Sequence, residues 1–331
     1  MSRSFILPGL CVLVCATACD KGQKSSTTTT AAEHPVPVAS AVQPPEQPGT
    51  SPKAAPSKAA LVFKNVGLST PESVLYDDAT DTYLVSNIDG KPLEVDGKGY
   101  ISGLKPDGAV AELKWIDSGK DKAVLNAPKG MAFLDDKLYV ADLDTVRIFD
   151  RKTGAPLGEV KIPNTTFLSG VTVEGDRVLV DDTAMKMGGT GFAPTGADAI
   201  YAIDKDKKVT TIAKGKDLGN PNGLVGAKDK TWVVTFGTNE LYSVDAKGKK
   251  GDVTKLPKGQ LDGLVALPGT NNELLVSSWE SSTIYRGTPG GEWKPVVENV
   301  KSPAGIGFDT KRHRVLVPRF DDNEVDVYDI R

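Results

Sequence analysis

A short opening pattern recurs six times along the chain, and it constrains the fold more than any other feature. Each copy starts with a turn-like tripeptide, continues into an apolar run, and is followed by a polar turn and a second apolar run. The six openings are Pro71-Glu72-Ser73, Pro128-Lys129-Gly130, Leu168-Ser169-Gly170, Pro221-Asn222-Gly223, Leu261-Asp262-Gly263 and Pro303-Ala304-Gly305. They lie 40 to 57 residues apart, and a period of this size is typical of repeat architectures such as propellers and solenoids.

The repeated units consist of short runs rich in β-branched and aromatic residues, such as Tyr83-Leu84-Val85 and Trp232-Val233-Val234. Such runs, separated by turns, predict strands, and the 34 glycines and 22 prolines of the chain suit frequent turns. No unit has a sustained helical period. Six units, each long enough for four strands, therefore predict an all-β, six-bladed β-propeller. A sandwich of two sheets is the alternative, and the regular spacing fits it less well.

The last unit is too short for a complete blade. From Pro303 to Arg331 there is room for only three strands, whereas Leu61–Val66 forms a strand that belongs to no unit. A ring of sheets that does not close leaves an exposed edge. We therefore predict that Leu61–Val66 pairs beside Glu324–Ile330 and completes blade six.

The first sixty residues predict an export signal followed by a tether. Arg3 precedes an uncharged run, Phe5–Ala18, which has the length of a secretory h-region. Small residues before Cys19 resemble a bacterial lipoprotein signal, so we expect a signal peptide at 1–18 and a lipid on Cys19. Ala-Thr-Ala at 16–18 also suits ordinary signal peptidase, which would leave Cys19 free. Residues 19–60 predict a disordered tether, and 61–331 the propeller. The expected location is the bacterial cell envelope, on the periplasmic or surface side of either membrane.

Composition excludes several classes of function. The 40 basic and 43 acidic residues give a net charge of −3, so no basic surface for nucleic acid is expected. All three cysteines precede residue 20, and the only histidines are His34 and His313. The body therefore lacks a cysteine nucleophile or cysteine metal site. We expect a monomer that contacts membrane only through its lipid anchor.

The residue before each repeated glycine defines a ring around the central channel, because first strands line the channel of a propeller. The ring consists of Glu72, Lys129, Ser169, Asn222, Asp262 and Ala304. Two carboxylates and one amide meet there, and such oxygen donors suit a hard cation such as Ca²⁺. Two alternatives remain: these residues only terminate strands, or the Lys129 ammonium neutralises the carboxylates without any metal.

Further residues are expected at the channel mouth, where a small-molecule ligand or substrate would bind. Lys129 and Ser169 belong to the ring, whereas Trp279 and Arg319 follow second strands and could contact an apolar or anionic ligand. A long insert, Ala184–Asp198, predicts a lid over the mouth.

The body from about Leu61 to Arg331 resembles the regucalcin/gluconolactonase (senescence-marker-protein-like) family, which is related more distantly to the paraoxonases. The residues that carry the resemblance are Glu72-Ser73-Val74-Leu75-Tyr76-Asp77, which resembles the family's Glu-Gly-Pro opening, and the Asn222-Gly223 and Asp262-Gly263 openings. The resemblance implies that Glu72, Asn222 and Asp262 bind a divalent cation and that Asp262 is the general base. It favours Ca²⁺, with Zn²⁺, Mn²⁺ or Mg²⁺ as other options.

This sequence also departs from the family. Ser169-Gly170 stands where the family has Asn-Asp, Phe167 stands where many members carry a sugar-binding arginine, and Lys129 is not a family ligand. Two functions therefore stay open. One is a metal-dependent hydrolase of a lactone or small ester, in which Ser169 positions water or substrate. The other is a non-catalytic propeller that binds a ligand or protein in the envelope.

Overall fold

The structure is a computed structural model that describes residues 58–189 and 191–330. The predicted signal peptide, Cys19 and nearly all of the predicted tether lie outside these residues. The described chain forms six four-stranded antiparallel sheets and one two-stranded hairpin. It has no α-helix, only two short 3-10 turns, and nothing in this part of the chain is a helix able to cross a membrane. The predicted all-β class is confirmed.

The strands follow the predicted units closely. Strand β1 (Leu61–Phe63) precedes the first blade. Blade one contains β2 (Pro71–Asp77), β3 (Thr82–Asn87), β4 (Tyr100–Leu104) and β5 (Val110–Asp117). Blade two contains β6 (Pro128–Leu134), β7 (Lys137–Asp142), β8 (Thr145–Asp150) and β9 (Pro156–Lys161). In blade three, β10 (Leu168–Glu174) and β11 (Arg177–Asp182) are followed by the separate hairpin β12 (Met185–Gly188) and β13 (Gly191–Pro194), then by β14 (Ala199–Ile203) and β15 (Val209–Lys214).

The second half of the ring has the same plan. Blade four contains β16 (Pro221–Gly226), β17 (Lys230–Thr235), β18 (Glu240–Asp245) and β19 (Thr254–Lys255). Blade five contains β20 (Leu261–Ala266), β21 (Leu274–Ser278), β22 (Thr283–Gly287) and β23 (Trp293–Glu298). Blade six contains β24 (Gly307–Asp309), β25 (Arg314–Arg319) and β26 (Glu324–Asp329), with β1 as its fourth strand.

The hydrophobic core is divided among the contacts between neighbouring blades. On β7, Leu138 and Val140 pack with blade one, whereas Tyr139 and Ala141 pack with blade three. Successive side chains of a strand point to opposite faces, so each sheet contributes to the core on both of its faces. The remaining interfaces of the ring contain equivalent clusters. This arrangement explains why the second strands are continuous apolar runs rather than alternating ones.

Ring closure occurs where the sequence predicts it. Leu61 pairs with Val327 and Phe63 pairs with Val325 in an antiparallel register, which confirms the predicted closure of blade six. The pairing strand is shorter than the predicted Leu61–Val66. It ends at Phe63 because Asn65 and Gly67 have positive φ angles of 56° and 95°, a conformation that interrupts a strand.

The repeated glycines allow the first strands to approach each other closely. A Cβ added at Gly130 would lie 2.3 Å from Ser169 O, and one added at Gly223 would lie 2.0 Å from Asp262 O. No side chain fits at such distances. The opening motif therefore repeats because each first strand contacts the backbone of the next blade, and this contact fixes the ring around the channel.

Candidate functional site

The first strands of blades one to five each contain an irregularity at the opening motif. The register of pairing shifts between Pro71 and Ser73 in blade one and between Leu261 and Leu264 in blade five, with equivalent shifts in blades two to four. Such bulges redirect side chains and are frequent beside functional sites. Here the bulge coincides with the residue that precedes the repeated glycine.

These residues converge on one cavity at the mouth of the channel. Glu72, Lys129, Asn222 and Asp262 line it together with Trp279, and its volume is about 90 Å³. Ser169 does not line this cavity; it lies beside a smaller space of about 50 Å³, which Glu72, Asn222 and Asp262 also border. The three predicted metal ligands, Glu72, Asn222 and Asp262, thus border both of these spaces.

Glu72 is a buried carboxylate without a hydrogen-bond donor. Its exposed fraction is 7%, and within the described chain no N–H or O–H group donates to its side chain. Burial, followed by the nearby charge of Asp262, raises the pKa of Glu72 well above its usual range, whereas Lys129 acts in the opposite direction. Buried carboxylates in folded proteins usually have partners, so this one is suited to a ligand that the protein itself does not supply.

Asp262 is hydrogen-bonded to two neighbouring side chains. Trp279 Nε1 donates to its Oδ2 atom at 2.9 Å, and the Asn222 side chain also hydrogen-bonds to it. Burial raises the pKa of Asp262 to about 7, and these two hydrogen bonds oppose the shift. A carboxyl group with a pKa near neutral pH can accept a proton efficiently in acid–base catalysis.

Thr183 connects two ring residues. Its hydroxyl lies 3.0 Å from Ser169 Oγ and 3.0 Å from Asn222 Oδ1. A threonine hydroxyl has only one proton to donate, so it serves one of these acceptors at a time. If the Asn222 amide is rotated by 180°, its Nδ2 donates to Thr183, Thr183 donates to Ser169, and Asn222 Oδ1 faces the other way. The two orientations place either a donor or an acceptor beside Asp262.

Lys129 is fully buried, and its ammonium does not form an ion pair with the ring. Nζ donates to Ala127 O at 2.9 Å and lies 4.5 Å from the centroid of the Phe167 ring. Among the residues that the structure describes, no carboxylate oxygen approaches Nζ within the 4.0 Å of a salt bridge. Burial lowers the pKa of Lys129, while Glu72 and Asp142 oppose this through space.

Arg319 lies outside the cavity, in contrast to the prediction that placed it at the channel mouth as a ligand contact. Its guanidinium pairs with Glu324 at 2.9 Å and also with Asp322. These carboxylates belong to the β25–β26 hairpin of blade six, so Arg319 forms its ion pairs within its own blade. Trp279, by contrast, follows the last residue of β21 and lines the cavity.

The cavity walls are apolar, and most of the residues that form them were not identified from the sequence. They are Ile88, Pro92, Phe167, Met185, Phe192, Phe236, Trp279 and Phe320. Met185 and Phe192 come from the hairpin inside the predicted lid, Ala184–Asp198. These side chains reach the cavity from loops at one end of the ring, and no local pattern in the sequence distinguishes them from ordinary surface hydrophobics.

Asp181 is a further buried carboxylate that sequence reasoning missed. It is fully buried, and its Oδ1 accepts a hydrogen bond from Gly170 N at 3.1 Å, but its Oδ2 has no partner in the described chain. The equivalent residues of blades one and five are serines: Ser86 accepts from Ser73 N and Ser277 accepts from Gly263 N. A polar residue next to last in alternate second strands was the available signal.

The polar lining side chains of the cavity, Glu72, Lys129, Thr183, Asn222 and Asp262, form its floor. The oxygen ligands among them fit a hard divalent cation. Glu72, Asn222 and Asp262 offer oxygen atoms of the kind such ions prefer, and Glu72 has no competing donor. Among the described residues, no group of three or more His, Cys, Asp or Glu side chains is placed to hold a metal. The candidate set is consistent with that result, because one of its three members is an asparagine.

Comparisons with known proteins agree on the fold. No family profile matches the sequence, and no curated protein matches it. Several solved structures share the architecture. A gluconolactonase from Xanthomonas campestris superposes with a TM-score of 0.60 at 15% identity, over 86% of this chain and 99% of that one. The calcium-binding protein regucalcin from Agrobacterium tumefaciens has a TM-score of 0.56 at 18% identity, covering 83% and 94%.

A third similar structure is virginiamycin B lyase from Staphylococcus aureus, with a TM-score of 0.55 at 15% identity, covering 81% of this chain and 98% of that one. At these identities the likeness shows the fold alone. The chain is a six-bladed β-propeller whose structural neighbours include gluconolactonase and regucalcin propellers, and the predicted fold class is confirmed.

Proposed function

We propose that this protein is a gluconolactonase-like propeller that hydrolyses a lactone or small ester with the help of a divalent cation. Glu72, Asn222 and Asp262 would hold the cation. The observation that carries the proposal is the Glu72 carboxylate, which is buried without a donor beside Asp262 and Asn222. Structural similarity to a gluconolactonase and to a calcium-binding protein supports it.

The all-oxygen donor set favours Ca²⁺, with Mg²⁺, Mn²⁺ or Zn²⁺ as other candidates. When bound, the cation polarises the substrate carbonyl as a Lewis acid. Lys129 does not replace it in this proposal, because its ammonium is engaged with Ala127 O and Phe167 rather than with Glu72. Neutralisation of the two ring carboxylates is then left to a cation from solution.

Side chains of the protein would carry out the proton transfer and stabilise the charge that develops. Asp262 accepts a proton from the attacking water while the new carbon–oxygen bond forms at the carbonyl carbon. The ester carbon–oxygen bond then breaks, and Asp262 returns its proton to the leaving oxygen, which gives a hydroxy acid from a lactone. Trp279 orients Asp262 through its indole N–H. The positive charge of Lys129 stabilises negative charge that develops in the cavity.

A second candidate function is a propeller that binds a small molecule without catalysis. It is favoured by the hydrogen bonds already present in the site. Trp279 Nε1 donates to Asp262 Oδ2, and the Thr183 hydroxyl donates to Asn222 Oδ1. In this alternative the polar floor is a stable network, and only the apolar walls contact the ligand.

We also propose that the propeller works in the bacterial cell envelope, held by a lipid on Cys19 and a tether up to residue 60. This proposal is based on the composition of the N-terminal residues alone.

The test is a comparison of metal-stripped and metal-loaded protein. We expect Ca²⁺ or another divalent cation to raise the melting temperature. A ligand at a hundredfold excess over its Kd raises the free energy of unfolding by about 2.7 kcal/mol. Hydrolysis of a lactone panel should require the same ion and stop with chelator. Asp262→Asn should remove both effects and lower the rate about 10²- to 10⁴-fold, whereas the exposed control Asp252→Asn should retain them.

If melting is unchanged across millimolar Ca²⁺, Mg²⁺, Mn²⁺ and Zn²⁺ and no lactone is hydrolysed, the metalloenzyme proposal is wrong. The non-catalytic binding propeller would then be the better account.

A further inference from the structure

The cavity separates polar from apolar surface. Its polar lining side chains are Glu72, Lys129, Thr183, Asn222 and Asp262, and all other lining residues are apolar or aromatic. Among the aromatic residues, only Trp279 carries a polar hydrogen, and that hydrogen is donated to Asp262. A ligand that enters this cavity therefore meets polar groups at the floor and hydrocarbon on the walls.

A sugar lactone does not suit such walls. Each ring hydroxyl that is buried without a partner costs about 1–3 kcal/mol, and the walls offer no free donor or acceptor to the several hydroxyls of a sugar. At the floor, the Thr183 hydroxyl and the Asn222 oxygen are already hydrogen-bonded to each other, and the Glu72 and Asp262 carboxylates would hold the cation of the proposed function. Apolar substituents, by contrast, gain free energy from contact with the walls.

Two groups of aromatic rings face the ligand space. Phe167 and Phe192 form an edge-to-face pair with centroids 5.5 Å apart. On the other side, Trp279 contacts Phe236 and Phe320 at centroid distances of 6.3 and 5.3 Å. An apolar group between these clusters would be in contact with rings on both sides.

The size of the cavity limits what it can enclose. Its volume of about 90 Å³ is below the roughly 150 Å³ of an engineered cavity that binds benzene. Only a small ring or short acyl group fits inside. A longer substituent would leave along Phe192, whose side chain lies on the hairpin at the mouth and is 45% exposed.

We propose that the ligand is an apolar lactone or ester, not a polyhydroxylated sugar lactone. Its carbonyl faces Glu72, Asn222 and Asp262, and its hydrocarbon substituent lies along Phe167 and Phe192. This inference rests on the proposed function for the reaction and for the cation at the floor, whereas the preference for an apolar substituent is argued from the walls.

The first test measures kcat/KM of the full-length, metal-loaded protein on γ-butyrolactone, γ-hexalactone, γ-octalactone and glucono-δ-lactone. Each buried methylene is worth about 0.8 kcal/mol, so we expect kcat/KM to rise about fourfold per methylene until the chain passes Phe192. Phe192→Ala should reduce this dependence on chain length. Val95→Ala is the control, because Val95 is 80% exposed and outside the cavity, and it should retain the dependence. A preference of the parent for gluconolactone, or no effect of chain length, would overturn the proposal.

The second test separates ligand class from catalysis. Calorimetric titration with cyclopentanone and 2-butylcyclopentanone uses carbocyclic lactone analogues that cannot be hydrolysed, and glucose serves as the sugar probe. We expect the butyl compound to bind most tightly, with a negative heat-capacity change that marks apolar burial. If this holds while no lactone is hydrolysed, the apolar ligand class stands and the proposed reaction fails. If gluconolactone is hydrolysed while the butyl compound does not bind, the reaction stands and the ligand class is wrong.

Discussion

Three carboxyl groups lie buried around the central channel, those of Glu72, Asp181 and Asp262, and burial raises the pKa of each. Their charges also disfavour one another, since Asp262 raises the pKa of Glu72 and both raise the pKa of Asp181. Lys129 is too far from them for an ion pair. In the absence of a cation, these groups therefore retain protons at pH values where ordinary carboxyl groups have lost them.

The raised pKa of Asp262 predicts a pH-dependent cost to stability. Between the ordinary pKa of 3.8 and about 7, the folded state holds a proton that the unfolded state has released, so its contribution to stability falls as pH rises. Asp262→Asn removes this effect. In chelator, the stability of the variant relative to the parent should therefore increase from pH 4 to pH 7, by up to about 1.4 kcal/mol per pH unit. Urea unfolding across this range measures it.

The control for that series is Asp252→Asn, whose stability relative to the parent should not change with pH. A constant difference for Asp262→Asn as well would contradict the raised pKa. Saturating divalent cation should flatten the series, because bound positive charge favours the ionised carboxylate.

Asp181 predicts a stabilising substitution. Its Oδ1 accepts from Gly170 N, as the hydroxyls of Ser86 and Ser277 accept in their own blades, but its Oδ2 is buried without a partner. Asp181→Ser should therefore keep the hydrogen bond and remove the uncompensated group, with a gain of about 1–3 kcal/mol where the carboxyl group is ionised. The gain should shrink as pH falls, because burial raises the pKa of Asp181 and favours its uncharged form.

The reverse substitution, Ser277→Asp, should destabilise blade five by introducing the same defect. Chemical denaturation compares both variants with the parent. A loss of stability in Asp181→Ser would instead indicate that the carboxylate balances the charge of a bound cation.

Strand β1 closes the ring with only three residues. Its three residues supply the fourth strand of blade six, and Phe63 packs between blades six and one with 1% of its surface exposed. The same interface contains the hydrogen bond from Tyr83 Oη to Asp309 Oδ2, 2.7 Å long and buried. Loss of β1 would expose both the edge of β26 and this core.

Phe63 and Val62 form a matched pair for testing closure. Phe63→Ala should lower the melting temperature by about 10 °C, since truncation of a buried phenylalanine lowers the free energy of unfolding by about 3–5 kcal/mol. Val62 is 45% exposed on the same strand, so Val62→Ala should be nearly neutral. Thermal unfolding monitored by circular dichroism measures both. Equal melting temperatures would mean that β1 does not close the ring.

At the scale of the whole molecule, the ring leaves little freedom to its blades. Each blade shares a core cluster with both neighbours, and the first strands are in backbone contact around the channel. Residues on different blades, such as Glu72 and Asp262, therefore hold fixed positions relative to one another. A preorganised floor of this kind is what binding or catalysis by several blades requires.

The proposed lipid anchor makes a prediction for the complete protein in a bacterial host. Cys19→Ser should shift the protein from the membrane fraction to the soluble periplasmic fraction, because a lipid on Cys19 would be the anchor. Detergent phase partitioning and fractionation measure this. A variant that stays with membranes would show that the uncleaved segment 5–18 is the anchor, and a soluble parent would indicate ordinary signal cleavage.

Patterns in the sequence predict the number of blades, their approximate bounds and the closing strand. These features depend on local properties that recur in every unit: a bulged opening, an apolar second strand and turn residues between them. Because the six openings occupy equivalent positions in a closed ring, the meeting of Glu72, Asn222 and Asp262 also followed from their place in the repeat.

Which neighbouring side chains share the site depends on how the chain packs in three dimensions. Asp181 accepts from Gly170 N of the first strand, whereas Asp182 accepts from Phe167 N of the preceding loop, since successive residues of a strand face opposite sides. Arg319 pairs within blade six, and Phe236 and Phe320 reach the cavity from separate blades. These outcomes depend on distances between segments far apart in sequence, and a local pattern does not contain them.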